Sequence, residues 1–187
     1  MMTATLHDTC PVCNRPILAG ANAAFRGRTS LHLQCYLNEV AETRSARDGP
    51  GALDQLLEDV HVLIVEDDQL TLEMLRATLE SFGAEVTSAV DVRSGRIALH
   101  ADTPHVLVSD ISMPHDGFEI VREVIAYGAS TGLKVPAVAI TASDTARDRM
   151  RMAGFSAVLA KPFDPFLLAA VVAGLANRRR GPVIAGV

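Results

Sequence analysis

The chain has 187 residues, 49% hydrophobic and 21% charged, with a formal net charge of −5. That is enough apolar material for one ordinary domain plus a small one, and it excludes a disordered chain. The acidic balance argues against nucleic acid as the main partner, since phosphate binding needs a clustered basic face and the one dense basic run, Arg178-Arg179-Arg180, reads as a solvated helix end. No segment reaches the roughly 18 apolar residues of a membrane span. Met1 to Asp8 shows no basic stretch followed by an apolar one, so no membrane contact and a cytoplasmic location are expected.

The first 40 residues hold all three cysteines. Cys10-Pro11-Val12-Cys13 is followed, after eighteen residues, by His32-Leu33-Gln34-Cys35. A C-x₂-C turn paired with H-x₂-C gives a Cys₃His set, Cys10, Cys13, His32 and Cys35, suited to tetrahedral Zn²⁺. A segment this small has too few apolar side chains to fold unaided, and a structural metal would supply what its core lacks. Three free thiols beside an unrelated histidine is the plainer reading. A redox pair is weaker, because no thioredoxin-like strand precedes Cys10. His7 is a substitute ligand that fits the spacing less well. The spacing resembles the first half of a LIM-type zinc finger. Such a finger binds a protein partner, dimerises the chain into a homodimer, or contacts nucleic acid, and the sequence leaves these open.

Residues 41–59 are polar and break at Asp48-Gly49-Pro50-Gly51, so they read as a linker, with a short helix through Leu53, Leu56 and Leu57. From His61 onward strands and helices alternate. The strands are Val62–Val65, Ala84–Ala89, Val106–Val108, Val135–Ile140 and Ala157–Ala160. The helices are Leu70–Phe82, Asp91–His100 with Asp91 as N-cap, a segment from Phe118 through Ile125, Asp144–Met152 and Phe166–Ala176. Gly83 and Gly154 stop two of them. This alternation predicts an α/β fold, a doubly wound five-stranded parallel sheet covered on both faces, with a small N-terminal zinc-binding module.

Four strand ends carry the chemistry. The first ends in Glu66-Asp67-Asp68, the third in Ser109-Asp110, the fourth in Thr141 and the fifth in Lys161-Pro162. In a parallel sheet these carboxyl ends lie side by side, where ligands bind. Clustered carboxylates repel unless a cation sits between them, and Mg²⁺ takes oxygen ligands of this kind. Asp110 is then a nucleophile towards phosphorus, with Lys161 and Thr141 placed to contact phosphoryl oxygens.

The segments VLIVEDD, VSDISMPHDGFE, AVAITAS and LAKPF make residues 60 to 178 resemble a response-regulator receiver domain of two-component signalling. The resemblance implies a flavodoxin-like sheet in the order 2-1-3-4-5. It implies that Asp110 accepts a phosphoryl group from a histidine kinase or phosphotransfer protein, in a domain that is not an enzyme beyond its own phosphoryl transfer and dephosphorylation. It also implies that Glu66 and Asp67 hold Mg²⁺ beside Asp110, with the carbonyl of Ser112 as a further ligand. Thr141 is then the switch hydroxyl, Lys161 the conserved-type lysine, and Pro162 a proline preceded by a cis peptide bond. Two positions depart from the pattern. The loop between Pro114 and Asp116 holds only His115, one residue fewer than such domains usually have. Val158 stands where Tyr or Phe is common, which removes the usual aromatic swing from signal transmission.

The expectation is a response regulator that signals to a downstream protein partner. Its parts are a zinc-binding module at 1–40, a linker at 41–59, a receiver at 60–178 and a tail at 179–187. The alternative is a zinc-finger adaptor for protein or nucleic acid, carrying a phosphorylation-independent receiver scaffold. A haloacid-dehalogenase-like phosphatase would want a second aspartate where Ser112 stands.

Overall fold

The computed structural model describes residues 8–18, 21–26, 29–45, 55–113, 118–142 and 147–179. His7, the short loop at Pro114, His115 and Asp116, Leu53 of the expected linker helix and the tail beyond Arg179 lie outside these residues.

Three elements precede the alternating region: β1 (Ala23–Arg26), β2 (Thr29–His32) and α1 (Leu33–Ser45). Leu33 and Tyr36 are buried and Leu37 packs beside them, an i, i+3, i+4 stripe that holds α1 on the sheet. Then come β3 (His61–Val65), α2 (Gln69–Ser81), β4 (Glu85–Ala89), α3 (Val92–Ala101), β5 (Val106–Asp110) and α4 (Glu119–Thr131). The chain continues through β6 (Ala137–Thr141), α5 (Arg147–Ala153), β7 (Ala157–Ala160) and α6 (Pro165–Arg179).

The five expected strands are present as β4-β3-β5-β6-β7, all parallel, which is the order 2-1-3-4-5. The sheet does not stop at five. β1 pairs antiparallel with the outer edge of β7, and β2 pairs antiparallel with β1, giving seven strands. The N-terminal hairpin is therefore continuous with the parallel sheet. Its strands escape a sequence reading because each is only four residues long and neither alternates cleanly.

Strand alternation sorts the core onto two faces. Val62, Ile64, Val106, Val108, Val138, Ile140 and Leu159 pack with residues of α1, α2 and α6. Leu63, Val65, Leu107, Ala139 and Val158 pack with residues of α3, α4 and α5. Local signals place the helix starts. Asp68 caps α2 by accepting from Thr71 N at 2.8 Å. Asp91 and Ser94 form a reciprocal capping box on α3. Gly95 lets α3 lie close, since a Cβ there would sit 2.9 Å from Val65 Cγ2 and 3.2 Å from Ile120 Cδ1. Among the described residues no helix is long and apolar enough to cross a membrane.

Candidate functional site

Register brings the expected pocket residues together. Asp110 is the last residue of β5 and pairs with Ile140, one position before Thr141. Thr141 closes β6 and pairs with Ala160, one position before Lys161. Glu66 leaves the sheet directly after β3, and its amide donates to Ala89 O at 3.1 Å. All four groups thus sit at the carboxyl edge of neighbouring strands.

Glu66, Asp110 and Thr141 are buried. The Lys161 ammonium donates to Asp110 Oδ2 at 2.7 Å and to Glu66 Oε2 at 3.3 Å. The other oxygens are held by the backbone: Asp110 Oδ1 accepts from Ser112 N at 2.7 Å, and Glu66 Oε1 from Asp68 N at 3.2 Å. The Lys161-Pro162 peptide bond is cis. The acids divide their labour: Asp68 is committed to capping α2, Glu66 is buried in the pocket, and Asp67 between them faces solvent.

Two carboxylates this close strain the charge balance. Burial, and then the charge of Asp110, pushes the Glu66 carboxyl above its ordinary pKa, against the opposing pull of the Asp68 amide and Lys161. Burial pulls on Lys161 in the other direction, but its bonds to Asp110 and Glu66 outweigh that and raise its pKa. An oxygen-only donor set with one carboxyl held above its range suits a hard divalent cation such as Mg²⁺.

The N-terminal cluster also assembles. One ligand atom from each of Cys10, Cys13, His32 and Cys35 lies within 4.8 Å of every other. A tight turn sets the first pair: Cys10 N donates to Arg15 O at 2.9 Å and Asn14 N to Cys10 O at 2.8 Å. Asn14 takes the left-handed φ of 59° that this turn needs, which Asn tolerates well. His32 Nε2 lies 3.2 Å from Pro16 O, and His32 Nδ1 lies 3.2 Å from Cys13 Sγ. A carbonyl on Nε2 fixes the proton there and leaves Nδ1 as the metal-facing nitrogen.

The thiols respond to this crowding in opposite directions. Burial works to raise the Cys10 pKa, but the backbone amides of Cys13, His32 and Val12 lower it to about 6. Burial and the neighbouring Cys13 and Cys10 raise Cys35 to about 11. A cluster that cannot carry all its thiolates alone is one that a cation completes. An S₃N donor set fits zinc. Among the described residues, Cys10, Ile17 and Leu31 form the small buried core beside it, with Ala21 and Cys35 packed against them.

The sequence reading missed the residues that join this cluster to the sheet. Asn22, Arg147, Arg151 and Asp8 carry no motif, and their partners lie more than a hundred positions away along the chain. Ser143, two residues beyond Thr141 in the sequence, lies outside the described residues.

Comparison with known proteins gives one consistent family. Residues 62–173 match the response regulator receiver domain model. A 14.6 kDa protein encoded in the sodA1 3′ region of Leptolyngbya boryana is 38% identical over 121 residues, which are 63% of this chain and 91% of that protein. Response regulator MprA of Mycolicibacterium vanbaalenii is 36% identical over 107 residues, 56% of this chain. The match spans 45% of MprA, under half its length. Among solved structures, the receiver domain of the histidine kinase CKI1 from Arabidopsis thaliana, complexed with Mg²⁺ and BeF₃⁻, aligns with a TM-score of 0.59. That alignment is at 23% identity over 67% of this chain and 95% of that one, a likeness of fold.

Proposed function

This chain belongs to the response regulator receiver domain family, and on that premise we infer that it works in a phosphorelay, taking a phosphoryl group onto Asp110 from a histidine kinase or phosphotransfer protein. The observation that carries the reading is Lys161 bridging Asp110 and Glu66 inside a buried edge of the sheet.

One carboxylate oxygen of Asp110 attacks phosphorus, the bond from phosphorus to the donor's leaving group breaks, and an aspartyl phosphate results. Glu66, Asp67 and Asp110 hold Mg²⁺, with the Ser112 carbonyl as a further ligand. The ion, when bound, neutralises charge on the transferred group. Lys161 pairs with a phosphoryl oxygen, and the Thr141 hydroxyl donates to another. The chain's own chemistry ends at this transfer and its hydrolysis, so it acts as a signalling component and not as an enzyme on a separate substrate. Output passes to a downstream protein in the cytoplasm.

Cys10, Cys13, His32 and Cys35 would hold a structural Zn²⁺, and four protein ligands would leave it no open site for catalysis. The pairing of β1 with β7 favours a module that serves the receiver over a free-standing adaptor.

The test is labelling with acetyl phosphate and Mg²⁺. Wild type should incorporate one phosphoryl group and Asp110→Asn none. Equal labelling of the variant would sink the assignment.

A further inference from the structure

Two chains of contacts leave the cysteine cluster: one ends beside Lys161, and the other at the start of α5, the helix that follows β6 in the chain. The first begins at His32, the last residue of β2. The next amide, Leu33 N, donates to Asn22 O at 3.2 Å. The Asn22 side chain then accepts the amide of Ala160 at 2.8 Å. Ala160 immediately precedes Lys161, whose own amide turns the other way and donates to Thr141 O at 2.7 Å. The strand end that carries the ammonium is thus held by β6 on one side and by Asn22 on the other.

The second chain begins at Pro16, whose carbonyl faces His32 Nε2. The carbonyls of the next two residues, Ile17 and Leu18, accept the Arg147 guanidinium at 3.1 Å and 2.8 Å. Arg147 opens α5, the helix that follows Thr141. One turn later Arg151 lies 3.5 Å from Asp8, which also accepts Ser30 Oγ at 2.6 Å. The module therefore grips the strand end that carries Lys161 and the first turns of α5.

We propose that the Cys₃His module is a positioning device for the acceptor pocket: metal loading docks the N-terminal hairpin, with Arg147 anchoring it to α5, and Asn22 then holds the strand end that carries Lys161 ready for a phosphoryl group. This rests on the reading of Asp110 as acceptor and of the four ligands as a zinc site. The docked and undocked hairpin is the two-state element that both sites bias. β1 and α1 already bury Ala24, Phe25, Leu33 and Tyr36 in the receiver's clusters, whereas the cysteine turn has, among the described residues, Cys10, Ile17 and Leu31 as its own core, too small to set its carbonyls against Arg147 without metal. A pocket ordered in advance loses less entropy when its ligand binds, so the coupling is positive. Linkage then requires that a filled pocket raise zinc affinity by the same factor, and couplings of this kind run to about 5- to 150-fold.

The experiment uses the full chain, loaded with one equivalent of zinc or stripped by a chelator. Its probe is beryllofluoride with Mg²⁺, followed by calorimetry. The loaded protein should bind beryllofluoride at least about fivefold more tightly. Zinc affinity, from chelator competition at equilibrium, should rise by the same factor when beryllofluoride is present. Asn22→Ala keeps all four ligands, so it should stay stoichiometrically loaded yet lose most of the gain. Asn22→Asp, which retains a side-chain acceptor, should recover it. Equal beryllofluoride affinity in loaded and stripped protein, with both sites binding, overturns the coupling alone. Should stripping unfold the chain, equal affinities for zinc-loaded wild type and zinc-loaded Asn22→Ala overturn it instead. Loaded protein that binds no beryllofluoride, or a chain that takes up no zinc, removes the site reading and the coupling with it.

Discussion

The Lys161 ammonium sits 2.7 Å from Asp110 and 3.3 Å from Glu66, so one cation serves two buried carboxylates. Its place is fixed twice, by the ion pairs and by the backbone bond from its amide to Thr141. A positioned charge of this kind acts on the transferred group without rearranging. Lys161→Met keeps the aliphatic stem and removes the charge. It should lower the rate of acetyl phosphate labelling by about 100-fold while zinc content stays at one equivalent. A labelling rate within threefold of wild type would mean that the ammonium balances Glu66 and Asp110 without serving the transfer.

Glu66 gives the pocket a pH signature. Its folded pKa lies above its ordinary value, because burial and Asp110 disfavour the charged form. The folded state therefore holds that proton more tightly than the unfolded chain. Stability from this group is fully present below the ordinary carboxylate range and is lost as pH rises through the folded pKa. Glu66→Gln removes that loss and leaves Lys161 paired with Asp110. The variant should be more stable than wild type at pH 7, and the difference should shrink as pH falls toward the ordinary carboxylate range. Denaturant titrations at several pH values measure this. The same variant should bind Mg²⁺ more weakly, a cost in function for a gain in stability.

The zinc reading makes a local prediction. The amide of Phe25 on β1 donates to Ser156 O at 2.7 Å, so its exchange reports whether the hairpin is docked. Cys13→Ser removes one ligand from a site whose metal stabilises a very small core. Metal analysis should fall from one equivalent to well below half. Hydrogen exchange at Phe25 should accelerate at least tenfold, while amides in β3 and β5, inside the sheet and away from the hairpin, keep their protection. Acceleration spread evenly over the whole sheet would show that the metal supports the entire fold and not the hairpin.

The parallel sheet and its pocket were legible because each strand is a short apolar run ending in a chemically distinct group. Glu66, Asp110, Thr141 and Lys161 each close such a run, and topology does the rest. The hairpin was not legible, since Ala23–Arg26 and Thr29–His32 gain their order from β7, far along the chain. The four residues of the Cys₃His cluster could be read from spacing, but their orientation could not. That depends on the Pro16 carbonyl beside His32, a backbone contact with no sequence signature. Asn22 and Arg147 were invisible for the same reason: ordinary polar residues acquire a role only when folding brings Ala160 and Leu18 to them.

Val158 shows how the added strand changes the sheet edge. It is buried on β7, in register with Ala139 of β6 on one side and Ala23 of β1 on the other. Its cluster already contains Phe25, Phe118 and Phe155, so aromatic volume on this face comes from β1 and the flanks of α4 and α5. A tyrosine at 158 would add a ring to a packed core and bring a hydroxyl that needs a partner. Val158→Tyr should therefore destabilise the fold by about 1–3 kcal/mol, read from the midpoint shift in urea. Its damage should be greatest at the β1–β7 contact, so Phe25 exchange should rise more than exchange in β3. A neutral substitution would show that the two alanines leave room for a ring, and that Val158 alone keeps an aromatic switch out of this face.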